Sequence, residues 1–212
     1  MKDSAYISKN YDKHIDKQIK TIVVLGCNEY SYVPRLKEKY NPEIIYAFEA
    51  DPTLAEWCEE NPIENVIFNH FAVCDVDGTV DFYESYDGGQ GSLYERYSSP
   101  PFYPSGNEIQ KEKIKVNATR LDTFFSDNPE IKLDMICMDI QGAELPALKG
   151  LGSMIENVSY IILEVPKSED LNYHKNGYSV EELYSFLIDR NFHPLEYQEE
   201  NDIEDNVFFV RR

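Results

Sequence analysis

Residues 133–150, LDMICMDIQGAELPALKG, place an acid where an apolar strand stops and a Gly-containing turn into a helix begins. Met135, Ile136, Cys137 and Met138 form the short continuous apolar run of a strand covered on both faces; Leu133 extends it and Asp139 ends it. From Glu144 the period changes, with Leu145, Leu148 and Leu151 at helical spacing and Gly150 and Gly152 as C-terminal breakers. Ligands of open α/β sheets bind at the carboxyl ends of strands, so Asp139 is expected to face a crevice.

Working outward, Thr21–Leu25 (TIVVL) is a β-branched run ending at Gly26, and residues 44–48 (IIYAF) form a second ending at Glu49, with room for one helix between. Asp51 as N-cap and Pro52 at the first helical position open the next helix, followed by Leu54, Ala55, Trp57 and Cys58. Residues 66–68 make a third strand. A turn at Asp77 and Gly78 leads into an alternating strand through Val80, Phe82 and Glu84. Residues 85–113 are rich in Gly, Ser, Pro and Tyr without a period and read as a long loop or flap. Order returns at 114–118 and at LDTFF, where Asp122 is the expected cap of a short helix, and residues 159–165 (SYIILEV) are the next strand. Ser179 and Glu182 form a capping box ahead of Val180, Leu183, Phe186 and Leu187, and the acidic tail 193–212 reads as a hairpin.

This order predicts an α/β fold: a Rossmann-like, mostly parallel seven-stranded sheet with an antiparallel C-terminal strand and helices on both faces. The expected organisation is one domain over 1–212, with 1–20 as an N-terminal extension.

The net charge of −19 argues against a nucleic-acid or anionic-membrane partner, which would need a basic stripe. Sixteen Tyr and eleven Phe beside many carboxylates would suit a sugar-binding cleft, and equally an ordinary core and surface. The polar start and the lack of an apolar stretch near the ~20 residues of a membrane span predict a soluble, cytoplasmic protein. Cys27, Cys58, Cys74 and Cys137 form no CxxC pair, so free buried thiols in a reducing compartment are expected rather than a zinc site.

Several strand ends carry residues suited to ligand chemistry. Gly26 would let a ligand lie against the backbone, or merely end a strand. Glu49 follows it by 23 residues, close to the ~20 at which an acid accepts ribose hydroxyls. Asp139 and Glu164 end strands that, if adjacent, bring two carboxylates together, either to take a proton or to hold Mg²⁺ or Mn²⁺. His174, in the loop after IILEV, is either a mobile general base with a near-neutral pKa or a surface histidine, and Glu144 reads as a helix N-terminal acid.

From Thr21 onward these blocks resemble the FkbM family of S-adenosylmethionine-dependent methyltransferases. MDIQGAELPALKG is similar to the family's strand-helix signature, FEADP to its ribose-binding turn, RLDTFF and IILEV to flanking blocks, and HFAVCDVDGTVDFYES to the stretch after the third strand. The family's first loop, D-x-G-A-N-x-G, keeps only Gly26 and Asn28 here, with Tyr30 at the second glycine, Cys137 for the signature Lys and Gln141 for its first Glu. Tyr30 is therefore expected to narrow the approach to the methionine part of the cofactor unless the backbone shifts.

The resemblance implies one methyltransferase domain that binds S-adenosylmethionine, with Gly26, Cys27, Asn28, Glu49, Ala50, His70, Phe71, Ala72 and Asp139 as the candidate contacts; Asp139, Glu164 or His174 is then expected to assist proton removal. It implies O-methylation of a sugar or glycan hydroxyl, a deoxyhexose such as rhamnose being one acceptor. The rival reading is an inactive module that binds cofactor or partner; a dehydrogenase lacks the G-x-G-x-x-G spacing in the first loop.

Overall fold

The computed structural model describes residues 5–86, 89–97, 110–168, 171–172, 174–175, 177–200 and 202–212. The chain opens with alternating strands and helices: β1 (Thr21–Leu25), α1 (Val33–Tyr40), β2 (Ile44–Glu49), α2 (Pro52–Glu60) and β3 (Val66–His70). Short β4 (Ala72–Val73), long β5 (Gly78–Ser85) and β6 (Gln110–Thr119) follow, then α3 (Leu121–Phe124), β7 (Met135–Met138), α4 (Glu144–Lys149), β8 (Tyr160–Pro166), α5 (Val180–Ile188), β9 (Phe192–Glu199) and β10 (Glu204–Arg211).

Seven strands form one sheet in the order β3-β2-β1-β7-β8-β10-β9. β10 pairs antiparallel with both β8 and β9, and the other pairings are parallel, as the sequence predicts. Both faces are covered because alternate strand residues point to opposite sides. In β7, Ile136 and Met138 join Leu145, Leu148, Leu183 and Leu187 in one core cluster. Met135 and Cys137 join Val33, Leu36 and Cys58 in the other.

Three boundaries differ from expectation. Antiparallel pairing of β5 with β6 carries strand structure through Ser85 and back from Gln110, so the expected 85–113 flap has ordered ends; residues 87–88 and 98–109 of it lie outside the described residues. These strands and β4 make a separate three-stranded sheet around Phe82, Val116 and Ala118. Asp122 is not the cap of α3: Arg120 holds that position without a side-chain bond, and its guanidinium pairs with Asp122 at 2.5 and 2.8 Å. The Asp51 cap and the Ser179–Glu182 capping box form as the sequence predicts.

The segment before β1 is part of the core. Tyr11 is fully buried and stacks on Phe208 at 4.5 Å, and Tyr6 stacks on Tyr32 at 4.3 Å. Asp134, just before β7, ties this segment down by accepting from the Lys17 ammonium at 2.7 Å and from the Lys20 and Thr21 amides at 2.8 and 3.1 Å. Burial pushes its carboxyl up, but the amides and the ammonium together outweigh burial and hold it below the ordinary range. Among the described residues no helix is long and apolar enough to cross a membrane.

An acid with a depressed folded pKa contributes stability above its unfolded pKa and loses it as pH falls through the folded one. Asp134→Ala is therefore expected to cost about 2 kcal/mol in urea unfolding at neutral pH. It should also flatten the loss of stability below about pH 4. An unchanged acid limb would overturn this role for Asp134.

Candidate active site

The carboxyl ends of β1, β2 and β7 meet at a cleft whose lining includes Gly26, Glu49, Phe71 and Asp139. Its floor is set by Gly26, at φ +75°, where an added Cβ would lie 1.9 Å from the Asp139 carbonyl oxygen. Glycine is therefore required here by the chain's own backbone, in addition to any ligand.

The turn after Gly26 carries Asn28, Glu29 and Tyr30 at φ 37, 44 and 57°, three successive non-glycine residues in the left-handed region. Each costs on the order of 1 kcal/mol. This is the backbone shift that Tyr30 requires: its ring is buried between Trp57 and Phe68, its hydroxyl donates to the Cys58 carbonyl at 3.4 Å, and it does not line the cleft. The expected narrowing is absent for that reason.

The amides of this turn are used within the protein. Those of Gly26 and Cys27 both donate to the Phe48 carbonyl at 3.0 Å, and that of Asn28 donates to Glu49 Oε2 at 3.0 Å. Cys27 also departs from its expected place beside the ligand, because its thiol is buried 3.9 Å from that of Cys58 and does not line the cleft.

Glu49 ends β2 at the cleft wall. It accepts from the amides of Ala50 and Asp51 at 2.8 and 3.0 Å as well as from Asn28. Burial pushes this carboxyl up while the three amide donors oppose the shift. Ala50, Asp51 and Leu54 continue this wall, and Phe71, Ala72 and Val73 close the apolar side. His70, the last residue of β3, is exposed and absent from the lining.

The opposite wall is the Asp139–Ala143 turn. Asp139 and Glu164 do converge, since β7 and β8 are adjacent with Met138 beside Leu163. Gln141, at φ 53°, places its side-chain nitrogen 2.5 Å from Asp139 Oδ1 and 3.5 Å from Glu164 Oε2. A donor between two carboxylates is the wrong partner for a cation, and no group of three His, Cys, Asp or Glu suited to a metal exists among the described residues. The Mg²⁺ or Mn²⁺ expectation thus does not fit these residues.

Burial, opposed by the Gln141 bond and Arg96 and reinforced by Glu204 and Glu200, leaves Asp139 pushed up to about 6. Burial first, then Asp139, Glu204, Glu144 and Glu200, raises Glu164 well above the ordinary carboxyl range. Glu144 is more than a helix-end acid. It is buried, accepts from Tyr178 at 2.5 Å, and is pushed up to about 7 by its burial.

His174 is also corrected. It is 7% exposed, its ring lies against Gly142, where a Cβ would approach it at 2.6 Å, and its backbone bridges to Arg96. Burial and the Arg96 charge push its pKa down to about 3, so it is a buried neutral imidazole rather than a mobile near-neutral base. With Asn172, Tyr178, Glu144, Glu164 and Glu204 it lines a second, polar cavity beyond Gln141.

Ser92 and Arg96 are site residues that sequence reasoning missed. The Ser92 hydroxyl donates to the Gln141 carbonyl at 2.6 Å, and the Arg96 guanidinium donates to the Gln141 side-chain oxygen and, at 2.7 Å, to Gln90 Oε1. A lone arginine in an aperiodic Gly-, Ser- and Tyr-rich stretch of an acidic chain was the available signal.

The chain is 27% identical over 164 residues to the 2-O-methyltransferase NoeI of Sinorhizobium fredii, a match covering 73% of this chain and 67% of that protein. Its fold is similar to M. capricolum TrmK, solved with S-adenosyl-homocysteine, at TM-score 0.50 and 12% identity over 97% of this chain and 69% of that one. It is similar also to the Methanococcus jannaschii fibrillarin pre-rRNA processing protein, at TM-score 0.51 and 12% identity over 92% and 67%. The model of the methyltransferase FkbM domain matches residues 14–194, so strand order, cleft and sequence agree, and the chain belongs to the FkbM methyltransferase family.

Proposed function

We propose that this chain transfers a methyl group from S-adenosylmethionine to a hydroxyl oxygen of a sugar or glycan. The observation that carries the reading is the buried Glu49 carboxylate at the cleft wall, opposite an apolar side made by Phe71, Ala72 and Val73. Three amides fix its orientation, and its remaining lone pairs are free to accept a vicinal diol such as ribose. The apolar side suits an adenine ring, with Asn28, Gly26 and Asp139 at the other end of the cleft.

Bound there, S-adenosylmethionine supplies an electrophilic sulfonium methyl. Chain residues then have two tasks, to align the acceptor oxygen with that methyl and to accept its proton as the C–O bond forms and the S–C bond breaks. Asp139 is the base in this reading, because it reaches the cleft and is ionised at neutral pH. His174 is neutral and lies in the adjoining cavity beside Glu164, where it serves the acceptor side.

NoeI as a relative supports oxygen as the acceptor atom. The second cavity supports a neutral, polyhydroxylated acceptor: Glu144, Glu164, Glu204, Asn172 and Tyr178 supply hydrogen-bonding groups, and among the described residues its lining holds no Lys or Arg to receive a phosphate or carboxylate. The chain's charge of −19 further disfavours nucleic acid.

Calorimetry of S-adenosylmethionine against the wild type and Glu49→Ala tests the cofactor site. Loss of hydrogen bonds to a charged acceptor is expected to weaken binding about ten- to a hundredfold. Equal affinity, or no binding to the wild type at millimolar donor, would overturn the reading. Because a cationic sulfonium favours ionised Asp139, binding releases a proton below about pH 6. Affinity should therefore rise from about pH 5 to 7 and then level, and Asp139→Asn should flatten that rise.

Acceptor class is tested with labelled donor and a panel of neutral glycans including deoxyhexoses, uronic-acid glycans and tRNA, read by mass spectrometry. Label is expected on a neutral glycan hydroxyl. Label on tRNA or uronate alone would replace the acceptor, and tight binding without turnover on any panel member would favour the inactive module.

A further inference from the structure

Among the described residues Gln141 alone lines both the cofactor cleft and the polar cavity behind it. It sits at φ 53° on the turn between β7 and α4, and every polar group of its side chain has a charged neighbour. The nitrogen donates to Asp139 Oδ1 at 2.5 Å and lies 3.5 Å from Glu164 Oε2; the oxygen accepts from the Arg96 guanidinium. Its backbone carbonyl takes the Ser92 hydroxyl at 2.6 Å.

An amide suits this place chemically. A glutamate could accept from Arg96 but would set a third carboxylate against Asp139 and Glu164, and a leucine would leave all three charged groups without this partner. The opposite charges at the two ends also settle which end is nitrogen, since an N–H donates to a carboxylate and a carbonyl accepts from a guanidinium.

We propose that Gln141 is the positioning residue of the transfer site: its amide holds the Asp139 carboxylate ready to accept the acceptor's proton, and its carbonyl end makes that arrangement depend on the 89–97 segment lying over the turn. The catalytic part of this assignment rests on the methyl transfer proposed above; the hydrogen-bond relay itself does not.

The relay works through an unequal pair. Asp139 receives the short bond and Glu164 the long one, so the amide favours the charged form of Asp139 more than that of Glu164. Other groups acting on Asp139 are Glu204, Glu200 and Glu164 as acids, Arg96 as a base, and the hydroxyls of Tyr6 and Tyr32 behind it. Gly89 brings the segment close enough that a Cβ there would lie 2.3 Å from the Asn28 side chain, so Asn28, Ser92 and Arg96 all report the same closure.

The test is carbon-13 carboxyl NMR of Asp139 in the unliganded protein, across pH, for the wild type, Gln141→Leu, Gln141→Glu and Arg96→Met. Gln141→Leu is expected to raise the Asp139 titration by about one pH unit, and Gln141→Glu by at least as much through like charge. Arg96→Met should shift it in the same direction, and the Arg96→Met, Gln141→Leu double variant should shift it by less than the sum of the two single shifts, as members of one relay behave. With an acceptor in hand, the acid limb of kcat should move by the same amount while donor affinity changes less than about threefold.

An Asp139 titration unmoved in the folded Gln141 variants, or additive shifts in the double variant, overturns the relay. Should Gln141→Leu fail to fold, Gln141→Glu, which keeps the shape and the Arg96 partner, decides alone. Failure of the wild type to bind methyl donor strikes the proposed reaction and leaves the titration result standing.

Discussion

Everything in this site depends on the closeness of two backbones. Gly26 at the end of β1 and Asp139 at the end of β7 lie so near that no side chain fits between them. That contact fixes where the central strands stop, and through them where Glu49 on one side and Glu164 on the other come to rest. The left-handed turn from Asn28 to Tyr30 follows as well: the chain must leave Gly26 sharply, and Tyr30 is accommodated by turning away from the cleft into a pocket beside α2. Burial of an aromatic ring offsets the backbone cost there.

Electrostatically, the site concentrates acids in a place with few cations. Asp139, Glu144 and Glu164 are all shifted upward chiefly by loss of water, so the unliganded site favours protons at pH values where surface acids have long lost them. Buried donors then decide which group is charged. Tyr178 serves Glu144 and Gln141 serves Asp139, while Arg96 brings a guanidinium from a segment remote in sequence. A cationic ligand entering such a cleft meets a potential that is already prepared for it.

Much of this was legible in the sequence because it is written locally. The strand-ending acids Glu49 and Asp139, the Asp51 cap and the Ser179–Glu182 box each depend on a handful of neighbouring residues, and the alternation of strands and helices sets the sheet order. His70 ends β3 exposed to solvent while the next residue, Phe71, lines the cleft, a difference of one residue that no local pattern in the sequence marks. Cys27 was misplaced because the turn it belongs to rotates its thiol toward α2. The role of Arg96, marked only by its being a lone arginine in its stretch, and the burial of His174 are not written locally: their partners lie in other parts of the chain, and no local period marks a residue whose role comes from long-range contact.

The N-terminal segment has a consequence for how the protein is made. Tyr11 rests on Phe208 in the next-to-last strand of the main sheet's order, and Tyr6 donates to the carbonyl of Met138. During synthesis, residues near the start of the described chain must therefore wait, aromatic rings uncovered, until strands from its far end have left the ribosome. Strand β10, which emerges after both of its neighbours, also inserts between them instead of adding at an edge. Such nonlocal closure slows folding and leaves apolar strand surface uncovered until the sheet is complete.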